Sequence, residues 1–373
     1  MNLVFLDSVD YDTFGGYENW ILLTADYMAE RGHRITVAGR KGSEYLRRAA
    51  RGNQKVTRLE LDISGDFGPL VIGKLRRFLS KNETDVLTVN FNKDVRLGGI
   101  AARLTGRTKV LWRLGLDITS DGFMHRWLTP KLVDAIVVPS EALKQQITRR
   151  SYLEPDLVQV VHNGTADRTF RRPDPQARSA LLEKYALPKE SIVAVSSGRF
   201  VQQKGHAYLV EAASTIVKAI PEIRFLWLGD GPLEADLKRQ IEEAGVSNLV
   251  VFAGMLDNTD VELAGADMMI HPSIEEPFSH SVLEGMRAGL PIVATRVGGT
   301  PEALVDGETS LLVQAKDSQA LAEAVITLAG SREMRERMGQ ANQKRWREEF
   351  RLERMMRKFE NCFNSLVNGS ADH

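Results

Sequence analysis

Ile192-Val193-Ala194-Val195-Ser196-Ser197-Gly198-Arg199-Phe200-Val201-Gln202-Gln203-Lys204-Gly205 is the stretch that decides the fold. Its apolar opening, Ile192–Ser196, reads as a strand buried on both faces, because such a strand has no need to alternate with polar residues. A helical pattern follows the loop, with Leu209, Ala213, Ile216 and Val217 on its inward face. Strand, loop and helix form the repeating unit of a doubly wound parallel sheet. The same pattern continues through Arg224–Leu228, Leu249–Phe252, Asp267–Ile270, Ile292–Ala294 and Leu311–Val313. Helices are predicted near 205–219, 232–244, 281–288 and 317–329. Upstream, Leu3–Leu6, Ile35–Ala38, Val86–Val89, Val110–Leu114, Ala135–Val138 and Val158–Val161 read as buried strands. Trp20, Leu23, Tyr27 and Met28 mark a helix between the first two. The fold class is therefore α/β, with two Rossmann-like doubly wound parallel-sheet domains.

The chain has 373 residues, too many for one comfortable core. The prolines at 173, 175 and 188 mark a connection within 165–189. The expected division is 1–165, 166–345 and a C-terminal stretch, 346–373. Residues 333–366, punctuated by Met338, Trp346, Phe350, Phe359 and Phe363, read as amphipathic helix packed on the body. With 43% hydrophobic and 26% charged residues, the composition is that of a globular protein rather than a disordered or fibrous one. Cys362 is the only cysteine, which excludes an intrachain disulfide and a thiolate metal cage. The apolar opening is too short for a signal peptide and no run is long enough to span a membrane, so a cytoplasmic location is expected.

Net charge is zero but unevenly placed. Residues 1–165 hold 24 Lys+Arg against 19 Asp+Glu, a balance of +5, and the remainder stands at −5. The cluster Arg47, Arg48, Arg51, Lys55, Arg58, Lys74, Arg76 and Arg77 suits either a solvated face or an anionic membrane surface.

Several stretches carry candidate chemistry. Arg199 and Lys204 share one loop at a strand's carboxyl end, where two cations favour an anion such as a diphosphate. Arginine forks onto two phosphate oxygens and lysine supplies a mobile point charge. In Glu275-Glu276-Pro277-Phe278-Ser279-His280-Ser281-Val282-Leu283-Glu284, carboxylates at 276 and 284 straddle a loop-to-helix junction. Helix-start N–H groups suit phosphate and the carboxylates suit sugar or ribose hydroxyls. Ser281-Val282-Leu283-Glu284 also reads as a capping box. Val297-Gly298-Gly299-Thr300-Pro301-Glu302 reads as another helix start, with Thr300 as N-cap and Pro301 at the first helical position. Gly15-Gly16 after the first strand lets backbone approach a ligand, or is an ordinary turn. Asp10-Tyr11-Asp12 matches a short metal-binding motif, but solvated loop carboxylates are the simpler reading. The seven histidines show no metal-ligand spacing, so no metal is expected.

The order and spacing of these stretches resemble the retaining glycosyltransferases of family four, which have the GT-B fold of two facing Rossmann-like domains. The resemblance runs through Ser197-Gly198-Arg199, Lys204-Gly205, Leu228-Gly229-Asp230-Gly231-Pro232-Leu233, Ala266-Asp267, His271-Pro272-Ser273, Glu276 through Pro291, and Gly298-Gly299-Thr300-Pro301-Glu302. Looser matches are Gly15-Gly16, Gly32-His33, Ser140-Glu141 and Asn163-Gly164. The resemblance implies that Arg199 and Lys204 hold the donor diphosphate and that Glu276 touches the transferred sugar. It places Glu284 on the ribose, the backbone of Phe278, Ser279, His280 and Ser281 on sugar and phosphates, and Met255 and Leu256 at the base. Gly198 and, from the other domain, Gly15 and Gly16 would line the donor. It implies a UDP- or GDP-type donor, no cofactor, no metal, and a glycan or lipid-linked acceptor in envelope polysaccharide or lipopolysaccharide synthesis.

Two departures stand out. The cleft histidine expected after Val110–Leu114 is absent, leaving Arg113 or Asp117 as acceptor-side candidates. Pro277 and Ser279 replace usual glycines. A nucleotide-sugar epimerase of the same fold and a non-catalytic nucleotide-sugar-binding subunit remain alternatives. A dinucleotide-dependent dehydrogenase is disfavoured, since no Gly-x-Gly-x-x-Gly follows either opening strand.

Overall fold

A computed structural model describes residues 1–9, 16–65, 67–117, 122–167 and 174–369. Two compact units emerge, 1–161 with 355–373, and 162–354. The first runs β1 (Asn2–Asp7), α1 (Gly16–Glu30), β2 (Arg34–Arg40), α2 (Glu44–Arg51), β3 (Val56–Leu61), α3 (Pro69–Lys81), β4 (Val86–Val89), α4 (Asn92–Arg103), β5 (Lys109–Arg113), α5 (Phe123–Leu132), β6 (Ala135–Val138), α6 (Glu141–Thr148) and β7 (Val158–Val160). The second runs α7 (Pro175–Lys184), β8 (Ile192–Ser197), α8 (His206–Ala219), β9 (Ile223–Leu228), α9 (Glu234–Glu243), β10 (Val250–Gly254), α10 (Asp260–Gly265), β11 (Met268–His271), α11 (His280–Arg287), β12 (Ile292–Thr295), α12 (Thr300–Ala303), β13 (Ser310–Val313), α13 (Ser318–Gly330) and α14 (Arg332–Glu349). Helix α15 (Leu352–Asn368) follows, and from Met355 onward it belongs to the first unit.

Among the described residues, the first sheet has the order β3-β2-β1-β4-β5-β6-β7 and the second β10-β9-β8-β11-β12-β13. The pairings are parallel throughout. Each sheet is therefore Rossmann-like, with its order reversing beside β1 and beside β8. The central strands are buried along their length, as their unbroken apolar runs require.

Strand β3 is an addition to the sequence reading. Val-Thr-Arg-Leu-Glu-Leu alternates at the sheet edge, with Thr57, Arg58 and Glu60 exposed, so it carries no apolar run. The single amphipathic stretch expected over 333–366 is two helices. Phe350 and Arg351 leave the helical path to bond with Thr165: the Thr165 N–H donates to the Phe350 carbonyl, and the Leu352 N–H donates to the Thr165 carbonyl. The Trp346 indole adds a 2.8 Å bond to the Thr165 hydroxyl.

In the first unit, Phe359 of α15 lies 4.8 Å between ring centroids from Trp20, and Phe363 meets Phe5 edge-on at 6.2 Å. Glu360 accepts from Arg31 and pairs with His33. These contacts place the last helix against β1 and α1.

Candidate donor site

The site lies in the second unit, where the loops after β8, β11 and β12 meet at the carboxyl ends of their strands. Phe200, fully buried among His206, Trp227 and Phe252, anchors the first loop in the core. Backbone bonds then join the loops. Ile274 N–H donates to the Gln203 carbonyl at 2.7 Å, and Gly299 N–H donates to the Glu276 carbonyl at 3.0 Å. Two glycines permit this closeness. At Gly205 (φ +66°) a Cβ would stand 2.0 Å from the Pro272 carbonyl oxygen. At Gly298 (φ +47°) it would stand 2.0 Å from that of Glu276.

Two side chains given separate roles by the sequence are joined here: Lys204 Nζ lies 2.5 Å from Glu276 Oε2. Glu276 is only 8% exposed. Burial works to raise its pKa, but the hydrogen bond from His271 and the charge of Lys204 outweigh it and hold the carboxyl at about 2. His271 Nε2 lies 3.2 Å from the same Oε2 and 3.1 Å from Ser273 Oγ. Burial pushes the His271 pKa down, against the opposing pull of Glu276. Next to it, His206 is held at about 3 by burial, then by the charges of His271 and Lys204; its Nε2 reaches Ser196 Oγ at 3.3 Å. Arg199 is exposed in the same loop and has no side-chain partner among the described residues. A cation in that state is available to an anion.

Helix α11 begins beside Glu276, but not as a capping box centred on Ser281. The N-cap is Ser279, whose hydroxyl accepts from the Val282 N–H. Glu284 is thus two residues too deep in the helix to bond back to the cap, and its role as a cap is withdrawn. Ser279 Oγ also lies 3.0 Å from Ser281 Oγ. The helix start at 300 holds, but its N-cap is Gly299, one residue before Thr300. The start of α11 carries the helix's positive end. Phe278 is fixed from behind, stacked on His162 at 4.8 Å, while its carbonyl accepts from Asn163 Nδ2 at 3.0 Å. Among the described residues, sequence reading gave no role to His162, Asn163, His206, His271 or Ser273. Only the His271-Pro272-Ser273 and Asn163-Gly164 matches pointed at some of them.

The remaining candidates are scattered. Met255 is exposed after β10, and Leu256 packs partly against the core. Gly198 lies in the β8 loop and Gly16 opens α1. Gly15, Asp10 and Asp12 lie outside the described residues. In the first unit, Arg113 ends β5 almost fully buried, its guanidinium 4.8 Å over the Trp20 ring. Asp117 pairs with Arg150 at 2.8 Å and accepts from Gln146 at 2.9 Å, so its carboxylate is already engaged. No group of three or more His, Cys, Asp or Glu placed to hold a metal occurs among the described residues.

Residues 14–167 match the family described as Glycosyltransferase Family 4, and residues 177–345 match Glycosyl transferases group 1. Together these spans cover most of the chain, which belongs to the family-four-type glycosyltransferases of GT-B fold. It is similar to the N-acetyl-alpha-D-glucosaminyl L-malate synthase of Bacillus anthracis, 28% identical over 56% of this chain and 54% of that one. It is also similar to the lipopolysaccharide core biosynthesis glycosyltransferase LpsE of Rhizobium meliloti, 35% identical over 42% of this chain and 45% of that one. The chain thus spans about half the length of these curated relatives. Among solved structures, Anabaena HepE in complex with UDP superimposes with a TM-score of 0.83 at 20% identity, covering 98% of this chain and all of that one.

Proposed function

We propose that the chain transfers a sugar from a nucleoside-diphosphate sugar, with retention at the anomeric carbon and without a metal. The acceptor is a glycan, lipid-linked or small-molecule hydroxyl of bacterial envelope synthesis. The observation that carries this reading is the Lys204–Glu276 pair beside the unpartnered Arg199, all at strand carboxyl ends where α11 begins. The LpsE relative and the UDP held by HepE support the acceptor class and a UDP-type donor in turn.

Each residue then has a task. Lys204 donates one N–H hydrogen bond to Glu276 and keeps two donors for the diphosphate. Arg199 forks onto phosphate oxygens. Negative charge grows on the leaving diphosphate as the anomeric C–O bond breaks, so these cations and the start of α11 act most strongly in the transition state. The bonding pair departs with the phosphate oxygen. The acceptor oxygen attacks from the same face, and its proton passes to that phosphate. Glu276, ionised throughout the neutral range, accepts from a hydroxyl of the transferred sugar. Glu284 meets the ribose, and Met255 and Leu256 the base. The first unit takes the acceptor at the cytoplasmic face of the membrane.

Labelled UDP- and GDP-sugars incubated with the protein and a membrane extract test the reading. Label should move to an acceptor, and exhaustive EDTA treatment should leave the rate within about twofold. Recovery of an epimerised donor, or binding without transfer, overturns it. Loss in EDTA with rescue by magnesium or manganese returns Asp10 and Asp12 to consideration.

A further inference from the structure

The side-chain hydrogen bonds of Glu276 among the described residues converge on one oxygen. Lys204 Nζ and His271 Nε2 both address Oε2, and neither addresses Oε1. An ionised carboxylate can only accept, so the bond at 3.2 Å requires the hydrogen of His271 to sit on Nε2. Ser273 Oγ, 3.1 Å from the same nitrogen, narrows the ring's freedom further. The ring is 2% exposed and closes β11, the strand that delivers the Glu276 loop. Thr295, at the end of β12, donates to the Ser273 carbonyl and ties this corner to the neighbouring strand. His206, by contrast, touches Ser196 and no carboxylate.

We propose that His271 is a positioning residue for sugar transfer: its Nε2–H, with Lys204, pins Oε2 of Glu276 so that Oε1 faces a hydroxyl of the donor sugar. This rests on the donor-site reading above. The arrangement resembles a ligand-orienting outer shell, in which a second residue fixes the rotamer of the one that touches substrate. It also separates two duties. The nucleotide is held by Arg199, Lys204 and α11, whereas the orientation of Glu276 matters only to the sugar. Lys204 is the other ionisable group acting on the His271–Glu276 pair, and His206 alongside is itself held down by burial and by the charges of His271 and Lys204, so removing the His271 donor leaves Glu276 easier to protonate.

The test compares His271→Gln, which keeps an N–H donor at nearly the Nε2 position, with His271→Leu, which does not. Turnover with a donor sugar used by the wild type, UDP affinity by calorimetry, and melting temperature are measured on each. His271→Leu should lose about 10- to 100-fold in kcat while binding UDP as tightly as wild type. The acid limb of its rate profile should move upward. His271→Gln should recover most of the rate and restore the limb. Equal turnover in all three proteins overturns the proposal, as does a loss in both variants that tracks UDP affinity. A readout independent of transfer is the ring itself. In protein labelled with ¹⁵N-histidine, the signal absent from His271→Gln should report a neutral ring protonated at Nε2; protonation at Nδ1 overturns the geometry. If Glu276→Gln keeps full activity, the donor-site reading falls, whatever His271 does.

Discussion

Lys204 and Glu276 depend on each other in a way that Arg199 does not share, so equal catalytic losses should come with unequal stability losses. Arg199→Ala should slow transfer by the equivalent of about 2–4 kcal/mol and leave the urea midpoint unchanged, because the side chain is exposed and unpartnered. Lys204→Ala should slow transfer similarly but also cost about 1–3 kcal/mol of stability, since it strands a buried carboxylate on His271 alone. Turnover and urea denaturation on both variants check this, and matching midpoints would remove the pair from the argument. The first unit supplies a contrasting carboxyl. Asp94 is fully buried, and burial lifts it from 3.8 to about 6 against hydrogen bonds from Ser8, Phe91 and Asn90. Asp7, equally buried, is raised as well, by burial and then by the charge of Asp94. The folded chain keeps the Asp94 proton after the unfolded chain has released it. Its contribution is therefore intact below about pH 4 and declines as pH rises to about 6, for a total of about 3 kcal/mol. Asp94→Asn should consequently gain about 2 kcal/mol more at pH 7.5 than at pH 4.5, and a gain independent of pH would contradict this. Arg199, Lys204 and Glu276 were legible because charge at a strand end is rare enough to notice. His271 was not, because a buried histidine in an apolar strand has the same local sequence whether it packs or orients.

Elements announced themselves when their whole length faced one environment. The buried strands did so through unbroken apolar runs, with boundaries off by a residue or two. Edge strand β3 did not, and neither did the break between α14 and α15, whose cause is Thr165, distant in sequence. The start of α11 shows a subtler limit. Ser279 and Ser281 are both competent caps, and only the pairing of Ser279 with the Val282 N–H decides between them. Helix α15 also shows where stability concentrates. Phe359 is 2% exposed and packs on Trp20, itself 1% exposed. Phe359→Ala should cost about 3–5 kcal/mol, from lost transfer energy plus the cavity left against Trp20. Urea denaturation measures it, and a loss below about 1 kcal/mol would mean that the helix docks weakly.

At the scale of the molecule, the proposed acceptor at a membrane raises the question of which surface would meet it; no helix among the described residues is long and apolar enough to cross one. The positive balance of residues 1–165 favours contact through the first unit. Two surfaces there compete for the role. Arg47, Arg48 and Arg51 project from α2, but Arg47 and Arg48 already pair with Glu44 at 2.8 and 2.9 Å, which spends part of their charge locally. Helix α5 instead exposes Phe123 (84%) and Trp127 (56%) one turn apart, with Lys131 Nζ 3.8 Å over the Trp127 ring. Exposed aromatics with adjacent cations suit a lipid headgroup boundary, where the ring enters the interface and the charge remains in water. Each basic group near an anionic surface adds about 1 kcal/mol, screened by salt, whereas buried aromatic area does not depend on salt. The protein should therefore bind anionic vesicles in a cosedimentation assay at low salt and detach in part at high salt. Reversing Arg47, Arg48 and Arg51 to glutamate should weaken the binding at low salt and shrink the fraction that salt releases. Phe123→Ser with Trp127→Ser should abolish the salt-resistant fraction. Both sets should bind UDP like the wild type, because neither α2 nor α5 carries a residue proposed for the nucleotide. Equal binding to neutral and anionic vesicles, or none to either, would leave a soluble acceptor as the better reading.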